Sequence, residues 1–241
     1  ARLSPSTGAI VCTMTAPDRI APEELIGTTL PAGTREVRAV TATTIFGAFG
    51  RGGTSSPFGN DTDSALLLAL RNWADVILVG AETVRKEEYS KADTPYAIIS
   101  RSLELDPSLG VFEGTVHVLA PERSLHGDSL QPARDALHRA GAQLVSTGGG
   151  TAKEILEALR QLGYPRVSCE GGPGLYADML AADLVDVLHL TVDPTLGHND
   201  TPYGLDIDEE AGPFTYRYVL EDARATADSL LFCRYRRVRG S

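Results

Sequence analysis

Cysteine is scarce in this chain of 241 residues, which contains three, Cys12, Cys169 and Cys233. They are odd in number and widely spaced, so we interpret them as reduced thiols of a cytoplasmic protein and not as a disulfide framework. No pair forms a CxxC motif and no HxE motif accompanies them, which excludes a zinc site of the nucleoside-deaminase type. His117 and His198 have no partners at metal-ligand spacing. The sequence therefore predicts no metal site.

Basic residues are also few, since 22 Lys and Arg stand against 32 Asp and Glu and give a net charge of −10. Both nucleic acids and anionic membranes favour basic partners, so neither is expected as the main partner. The chain has no run of 18 apolar residues and no signal-peptide pattern, and no membrane-spanning segment is expected. These absences indicate a small acidic enzyme of the cytoplasm that acts on a small molecule.

Strand-like and helix-like segments alternate along most of the chain. Residues 1–36 show little periodicity and predict an N-terminal arm, whereas residues 37–241 predict one domain. Predicted strands cover 37–45, 75–79, 96–99, 115–119 and 143–146, a further strand ends at Cys169, and another lies before Pro194. Predicted helices include one capped by Asp61 or Thr62, with Ala65, Leu66, Leu68, Ala69 and Trp73 on its apolar face, and helices over 129–140 and 152–162.

The alternation predicts an α/β fold with a mostly parallel sheet and helices on both faces. Two alternating runs, 214–220 and 229–238, are joined by a polar turn and predict a C-terminal antiparallel hairpin, which makes the sheet mixed. Ligands of such sheets bind beyond the carboxyl ends of the strands. The loops at that edge are therefore the place to look for a site.

Glycine-rich turns follow three predicted strands and open helices. The most informative is Glu170-Gly171-Gly172-Pro173-Gly174, and the others lie at Gly80 to Thr83 and at Gly148 to Gly150. Unpaired amides and the helix dipole favour an anion at such a turn, so a dinucleotide pyrophosphate is a suitable ligand. A plain connector is the alternative, because the turn matches neither GxGxxG nor the phosphate loop with its lysine.

Four polar residues near that edge allow two interpretations each. Ser100 and Arg101 either hold the 2′-phosphate of NADP, because a hydroxyl and a forked guanidinium match its oxygens, or are surface residues beside a turn. Thr83 either contacts a phosphate or ribose or caps a helix. Arg71 is either solvated or grips a substrate phosphate. His189 is interpreted as a packed or edge histidine.

Three segments together carry a family resemblance. They are RNWADVILVGAETVR (Arg71 to Arg85), YAIISR (Tyr96 to Arg101), and EGGPGL with the later LVDVLHLTVDP (Glu170 to Leu175 and Leu184 to Pro194). In order and spacing they resemble the pyrimidine reductase domain of bacterial riboflavin biosynthesis, and among its members the stand-alone actinobacterial proteins. The resemblance runs from about Val37 to Val238. It implies a dihydrofolate-reductase-like fold, NADPH as cofactor, and hydride transfer that converts a ribosylamino side chain of an aminouracil phosphate to ribitylamino.

The resemblance also implies which residues form the site. Glu170 is expected to bind the substrate and is the candidate catalytic residue, as a source of the proton. The other expected substrate contacts are Thr44, Phe46, Ser55 and Arg71. The expected NADPH contacts are Thr43, Gly80, Thr83, Glu87, Ser100, Arg101, Gly171, Gly172, Pro173, Gly174 and Leu175.

One position departs from the family pattern. The family reads SxDG after the first strand, and this chain reads Thr44-Ile45-Phe46-Gly47. A phenyl ring at 46 can pack or stack but cannot orient a polar group or deliver a proton as a carboxylate can. Turnover of the usual substrate is therefore expected to be slow, with water or Glu170 supplying the proton.

Two further functions stay open on this sequence. One is NADPH-dependent reduction of another heterocycle, such as a pterin or dihydrofolate, because the fold is shared. The other is binding of NADPH without turnover. A homodimer is also expected, because Leu220, Leu230 and Phe232 place apolar side chains on strands at a predicted sheet edge.

Overall fold

The structure is a computed structural model, and it describes residues 16–49, 58–196, 204–205 and 214–239. The strands are β1 Glu36–Thr44, β2 Val76–Gly80, β3 Tyr96–Ile99, β4 Val116–Ala120, β5 Gln143–Ser146, β6 Arg166–Gly171, β7 Val187–Asp193, β8 Tyr218–Ala225 and β9 Leu231–Arg237. The helices are α1 Pro22–Ile26, α2 Asp61–Trp73, α3 Ala81–Lys86, α4 Glu122–His126, α5 Gln131–Arg139, α6 Ala152–Gln161 and α7 Pro173–Ala181. Short 3₁₀ turns lie at Gly110–Glu113 and Asp128–Leu130.

Within the described ranges, the strands form a nine-stranded sheet in the order β5-β4-β3-β2-β6-β1-β7-β9-β8. In this order, each pair of neighbouring strands from β5 through β7 is parallel. Strand β9 runs antiparallel to both of its neighbours, β7 and β8. The predicted mostly parallel sheet with a C-terminal antiparallel hairpin is confirmed. The parallel arrangement brings the carboxyl ends of β1, β2, β3 and β6 to one edge of the sheet.

The sheet is covered on both faces because most of its strands are apolar on both sides. Helices α6 and α7 pack on one face through Ile155, Leu159 and Met179, which contact residues of the central strands. On the other face, Leu66 and Leu70 of α2 pack over Val40 of β1, and α3 and α5 cover β2 to β4. Burial of these side chains contributes about 25 cal/mol per Å² of apolar area, and it is the main contribution to the stability of the fold.

The segment before β1 is more than an arm laid over the domain. Ile20 and Leu25 are buried in one cluster with α2 and β9. The fully buried Arg38 of β1 donates to the carbonyls of Ile26 at 2.6 Å and Thr28 at 2.8 Å, which fastens the end of α1 to the sheet. Residues 16–35 therefore complete the core beside α2, and residues 1–15 lie outside the described part of the chain.

Several local predictions need correction. The α2 cap is Asn60, whose side chain accepts from the amides of Thr62 and Asp63, and neither Asp61 nor Thr62 is the cap. Leu68 is exposed and Leu70 is buried in its place, because the stripe that faces the sheet follows Leu66, Leu70 and Trp73.

Differences also occur in the C-terminal half. The first hairpin strand begins at Tyr218 and not at residue 214. His189 is a packed histidine, one of the two interpretations made from the sequence: it lies on an interior strand and is fully buried, and burial followed by the charge of Arg38 lowers its pKa to about 3. Cys169 and Cys233 are free and buried, as interpreted, and Cys12 lies outside the described residues.

Candidate active site

The candidate site lies where β1 and β6 separate at the carboxyl edge of the sheet, a place that we call the crevice. Their parallel ladder runs from Glu36–Arg166 to Ala39–Cys169 and stops, although β1 remains paired with β7 as far as Thr44–Asp193. The chain leaves β1 towards α2 on one face and leaves β6 towards α7 on the other. Adjacent strands whose connections go to opposite faces define the switch point at which open α/β sheets bind their ligands.

Tyr176 of α7 reaches into this separation and donates its hydroxyl to the Val40 carbonyl of β1. The ring is fully buried, and burial raises the pKa of its hydroxyl well above 10. A Cβ on Gly171 would lie 2.0 Å from this ring, so no other residue fits at that position. Glycine therefore allows the tyrosine to occupy the point where the strands part.

The turn after β6 lets neighbouring atoms approach its backbone closely. Gly171 and Gly172 have φ angles of +73° and +76°, which L side chains rarely adopt. A Cβ on Gly172 would lie 2.6 Å from the Thr83 hydroxyl. Pro173 and Gly174 are exposed at the start of α7, and Leu175 is buried in the core and offers only its backbone.

The first turn of α7 has unpaired donors. Its first backbone bond runs from the Tyr176 amide to the Gly172 carbonyl at 3.0 Å, and no side chain caps the helix. The Gly174 and Leu175 amides therefore have no protein acceptor among the described residues. Together with the positive end of the helix dipole, they can receive an anionic group.

Arg71 of α2 and Glu170 of β6 form a two-bonded ion pair on the α2 side of the crevice. Arg71 Nε lies 2.6 Å from Oε1 and Nη2 lies 2.7 Å from Oε2. Tyr89 donates its hydroxyl to the same Oε2 at 2.8 Å. The Glu170 side chain is 2% exposed and that of Arg71 is 19% exposed. Glu170 thus accepts three hydrogen bonds while Arg71 still borders solvent.

The surroundings keep the Arg71 guanidinium charged. The Arg71 guanidinium lies over the rings of Tyr89 and Tyr96, at 5.2 and 5.9 Å from their centroids. Burial alone lowers the pKa of Arg71, but the hydrogen bond and charge of Glu170 outweigh it, and the pKa is raised. Burial and the Glu170 charge also raise the pKa of Tyr89 well above 10, so Tyr89 remains a hydrogen-bond donor.

The turn after β2 lies against the turn after β6. Thr83 of α3 directs its hydroxyl to the Gly171 carbonyl at 3.4 Å, a long contact that leaves the hydroxyl able to serve a ligand. A Cβ on Gly80 would stand 3.4 Å from the same carbonyl. Glu87 follows α3 and is half-buried. The structure therefore brings Gly80 and Thr83 together with Gly171 and Gly172.

Ser100 and Arg101 follow β3 at the same edge but differ in exposure. Ser100 is buried, and its hydroxyl has no hydrogen-bond partner within the described residues. Arg101 is exposed and lies 3.6 Å from Asp178 of α7, which joins the end of β3 to the helix that follows the glycine turn. An unsatisfied buried hydroxyl is uncommon and is often found where a ligand supplies the partner.

The end of β1 holds the remaining predicted residues. Thr43 and Thr44 are buried, and Thr44 Oγ1 accepts from the Ala48 amide at 3.1 Å in the tight turn that follows. Phe46 is at the tip of this turn with its side chain 65% exposed. Ser55 lies outside the described residues.

Sequence reasoning missed a second carboxyl group near the crevice. Asp63, in the first turn of α2, lies 2.6 Å from the Thr191 hydroxyl of β7. Burial raises the pKa of Asp63, and the hydrogen bond from Thr191 partly offsets the effect. In the sequence, Asp63 belongs to a polar stretch typical of a helix start, and nothing there distinguishes it from Asp61.

The described residues contain no cluster of His, Cys, Asp and Glu arranged to hold a metal ion. Over the same residues, no helix is both long enough and apolar enough to cross a membrane.

A mixed sheet with a switch point, a glycine turn and a buried Arg–Glu pair at its carboxyl edge defines an α/β protein of the kind that binds a ligand at that edge. Residues 35–206 match the family model described as the RibD C-terminal domain. The chain therefore belongs to this family of riboflavin-biosynthesis reductases, and the resemblance found in the sequence is confirmed. No curated protein sequence gives a significant match.

Solved structures share the fold. A pyrimidine reductase-like protein from Corynebacterium diphtheriae superposes with a TM-score of 0.79 at 29% identity, over 92% of this chain and 100% of that one. RibD from Acinetobacter baumannii gives 0.68 at 19% identity, over 86% of this chain and 59% of that one. The riboflavin biosynthesis reductase Rib7 of Saccharomyces cerevisiae gives 0.63 at 17% identity, over 88% and 94% of the two chains. The predicted fold class is confirmed.

Proposed function

We propose that this protein is an NADPH-dependent reductase that converts the ribosylamino side chain of an aminouracil phosphate to ribitylamino. The observation that carries the proposal is that the Gly171-Gly172 turn directly follows Glu170 at the end of β6, so that the turn and the Arg71–Glu170 pair lie together where β1 and β6 separate. The turn offers amides for a dinucleotide, and the pair offers charged groups for a polar substrate.

The residues present fit a dinucleotide. The unpaired Gly174 and Leu175 amides suit its pyrophosphate, and Pro173 before them adds no competing donor. Thr83 and Gly80 border the same turn, and we assign Thr43 and Glu87 to its neighbourhood on the family resemblance. Bound there, NADPH supplies the hydride, and the protein contributes alignment and a site with little water.

Ser100 and Arg101 are proposed to select NADPH over NADH. The partnerless Ser100 hydroxyl and the exposed Arg101 guanidinium are both donors, as a 2′-phosphate requires. Among the described residues, the Arg101 guanidinium has one ion pair, a 3.6 Å contact to Asp178 in which both side chains are largely exposed, and such pairs are weak. Arg101 can therefore exchange Asp178 for a phosphate at little cost.

On the substrate side, the geometry favours binding over proton delivery for Glu170. Its oxygens are already used as acceptors by Arg71 and Tyr89. The pair can hold ribityl hydroxyls, with Arg71 as donor on its exposed side. It is less suited to grip a phosphate, because Glu170 neutralises the guanidinium. We assign Thr44, Phe46 and Ser55 to the substrate by the family resemblance.

The test is to follow NADPH oxidation with the ribosylaminouracil phosphate and, in parallel, with dihydrofolate and a dihydropterin, using identical protein samples. We expect NADPH to bind and the ribosylaminouracil to be reduced. Binding of NADPH without oxidation by any substrate would contradict the proposed reaction and support a cofactor-binding protein.

A second candidate function is reduction of a pterin-type heterocycle, and one observation favours it. The half-buried Asp63 carboxyl, supported by Thr191, is suited to pair with a ring that carries adjacent N–H donors. The 2-aminopyrimidine part of a pterin offers two such neighbouring donors, the ring N3–H and the 2-amino group. Faster oxidation of NADPH with a dihydropterin than with the ribosylaminouracil would support this function.

We also propose a cytoplasmic homodimer. The buried free thiols Cys169 and Cys233 suit a reducing compartment. The apolar side chains available to a partner are fewer than expected, since Leu230 and Phe232 are buried against α1 and α2, while Leu220 on the edge strand β8 is exposed. Light scattering at micromolar concentration should give twice the mass of one chain, and Leu220→Lys should lower it.

A further inference from the structure

A cavity of about 250 Å³ lies at the amino edge of the sheet, the edge opposite to the candidate active site. Its apolar lining comes from Val37 at the start of β1, Val167 at the start of β6 and Leu156 of α6. Leu184, before β7, and the side chain of Tyr164 also line it. We call this space the amino-edge cavity.

The amino-edge cavity is separate from the candidate active site. On β6, Val167 precedes Glu170 by three residues, or about 10 Å, and residues three apart on a strand face opposite sides of the sheet. Leu156 of α6 lines the cavity, which therefore lies on the face that α6 and α7 cover. Arg71 of α2 meets Glu170 on the other face. A ligand in the cavity would contact neither the Arg71–Glu170 pair nor the glycine turn.

Two carboxyl groups of the cavity wall are already neutralised by the protein. The Asp183 carboxylate accepts from Nε of Arg237 at 2.5 Å and from its Nη2 at 3.0 Å. The Asp186 carboxylate accepts from the Val37 amide at 2.8 Å through Oδ2 and pairs with Arg239 through Oδ1. Both oxygens of each carboxylate are therefore used.

Glu36, the third acidic residue of the wall, is also fully paired. Its Oε2 accepts from Nε of Arg38 and its Oε1 from Nη1 of Arg236, both at 3.0 Å. The side chain is 1% exposed, so it presents almost no surface to a ligand. The acidic side chains of the wall therefore have no free oxygen with which to hold a cation.

Two arginines of the wall are not neutralised in this way. Arg35, just before β1, is exposed and has no hydrogen bond or ion pair among the described residues. Arg160, in the last turn of α6, has a 3.6 Å contact to Glu157, and exposed pairs of this kind are weak. In a chain of net charge −10, two free guanidinium groups beside an apolar cavity favour an anion.

We propose that the amino-edge cavity binds a small aromatic or heterocyclic anion, with its ring against Val37 and Val167 and its phosphate or carboxylate at Arg35 and Arg160. The inference does not depend on the proposed reductase function. A cavity of about 150 Å³ is sufficient for benzene, so about 250 Å³ accommodates one ring with a charged substituent. The forked guanidinium groups match the oxygens of either anionic group.

The test is calorimetric titration of the full chain with phenyl phosphate and with benzoate. Benzyl alcohol is the probe without charge, and inorganic phosphate is the probe without a ring. We expect at least one of the two aromatic anions to bind, and benzyl alcohol and inorganic phosphate to bind at least about 10-fold more weakly. The Kd of the aromatic anion should be the same with and without saturating NADPH. Binding of neither aromatic anion, or displacement by NADPH, would overturn the proposal.

Variants of the two arginines test their role. The double variant Arg35→Ala/Arg160→Ala should weaken binding of the aromatic anion at least about 10-fold and leave the NADPH Kd within twofold of wild type. Arg139→Ala is the control, because Arg139 is an exposed arginine in the last turn of α5 and does not line the cavity. An affinity that the double variant leaves unchanged would refute the anion contact.

A methyl NMR titration and a filled cavity locate the bound anion. The methyl signals of Val37 and Val167 should shift as the aromatic anion is added. Leu184→Trp adds a larger side chain to the wall of the cavity without removing an arginine, and it should abolish binding. Shifts confined to methyl groups elsewhere, or full affinity in Leu184→Trp, would show that the anion binds outside the amino-edge cavity and would overturn the proposal.

Discussion

The Tyr176 hydroxyl of α7 is bonded to the Val40 carbonyl of β1, one residue beyond the last ladder pair between β1 and β6. A strand carbonyl at this position would otherwise pair with the neighbouring strand, and leaving it unpaired inside the protein would cost about 1–3 kcal/mol. The tyrosine therefore stabilises the separated strands. Its ring fits there because position 171 is glycine.

The closeness of the two glycine turns gives the first prediction. Gly172→Ala adds a Cβ 2.6 Å from the Thr83 hydroxyl at a φ of +76°. The matched control is Gly141→Ala, at a φ of +85° with nothing within 4 Å. Both should lose about 1–2 kcal/mol of stability from the left-handed backbone, and Gly172→Ala should lose more and bind NADPH more weakly. Equal stability and equal NADPH affinity in the two variants would show that this contact is unimportant.

The second prediction concerns the Arg71–Glu170 pair. Arg71→Ala removes two of the three donors to a carboxylate that is 2% exposed, and should lower stability by about 2–3 kcal/mol and raise the substrate KM. Arg166→Ala is the control, because Arg166 makes a similar pair with Asp75 at the amino edge of the sheet. It should lower stability without changing KM. Thermal unfolding and steady-state kinetics of both variants decide whether the pair binds substrate or only supports the fold.

The parts of the site that could be predicted from the sequence are those that are contiguous in it. The Gly171-Gly172 turn and Glu170 are neighbours, and the alternation of strands and helices placed them at the carboxyl edge. The bond between Tyr89 and Glu170 joins residues 81 positions apart, and that between Asp63 and Thr191 spans 128 positions. Such pairs depend on strand order and on the angle at which α2 crosses the sheet, and composition and spacing specify neither.

The face that each segment buries was equally hard to predict. The alternation in β9 indicated a strand, but not that Phe232 would pack against α1 and α2 of the same chain. The segment before β1 looked irregular because its buried residues, Ile20 and Leu25, are too few to form a pattern. Its attachment depends on Arg38, a residue that charge alone would place on the surface.

Cofactor selection gives the third prediction. Arg101→Ala should weaken NADPH binding by about 10-fold to 150-fold, the equivalent of ~1.5–3 kcal/mol for a lost charge-assisted bond, and should leave NADH binding unchanged. Arg160→Ala is the control, because Arg160 also makes a 3.6 Å surface ion pair, with Glu157 of α6. Fluorescence titration with both nucleotides measures the ratio. A ratio that Arg101→Ala does not alter would refute the 2′-phosphate contact.

A fourth prediction concerns stability against pH. The pKa of Asp63 is raised in the folded protein, above an unfolded value of about 3.9. Its protonated form therefore stabilises the fold below about pH 4, and this contribution is lost as pH rises through the raised pKa. The difference in Tm between wild type and Asp63→Asn should move in favour of the variant between pH 4 and pH 8. A Tm difference for Asp63→Asn that stays constant over this pH range would contradict burial of the charge.

The last prediction concerns Phe46. Phe46 is 65% exposed at the tip of its turn, so Phe46→Asp should not disturb folding. The departure from the family pattern predicts that an acid at position 46 raises the rate on the ribosylaminouracil without changing the NADPH Kd. Phe46→Asn is the control, because its side chain is polar but cannot act as an acid. An equal rise in rate in both variants would show that polarity at position 46 matters and proton delivery does not, and no rise in either would show that position 46 does not reach the reacting atoms.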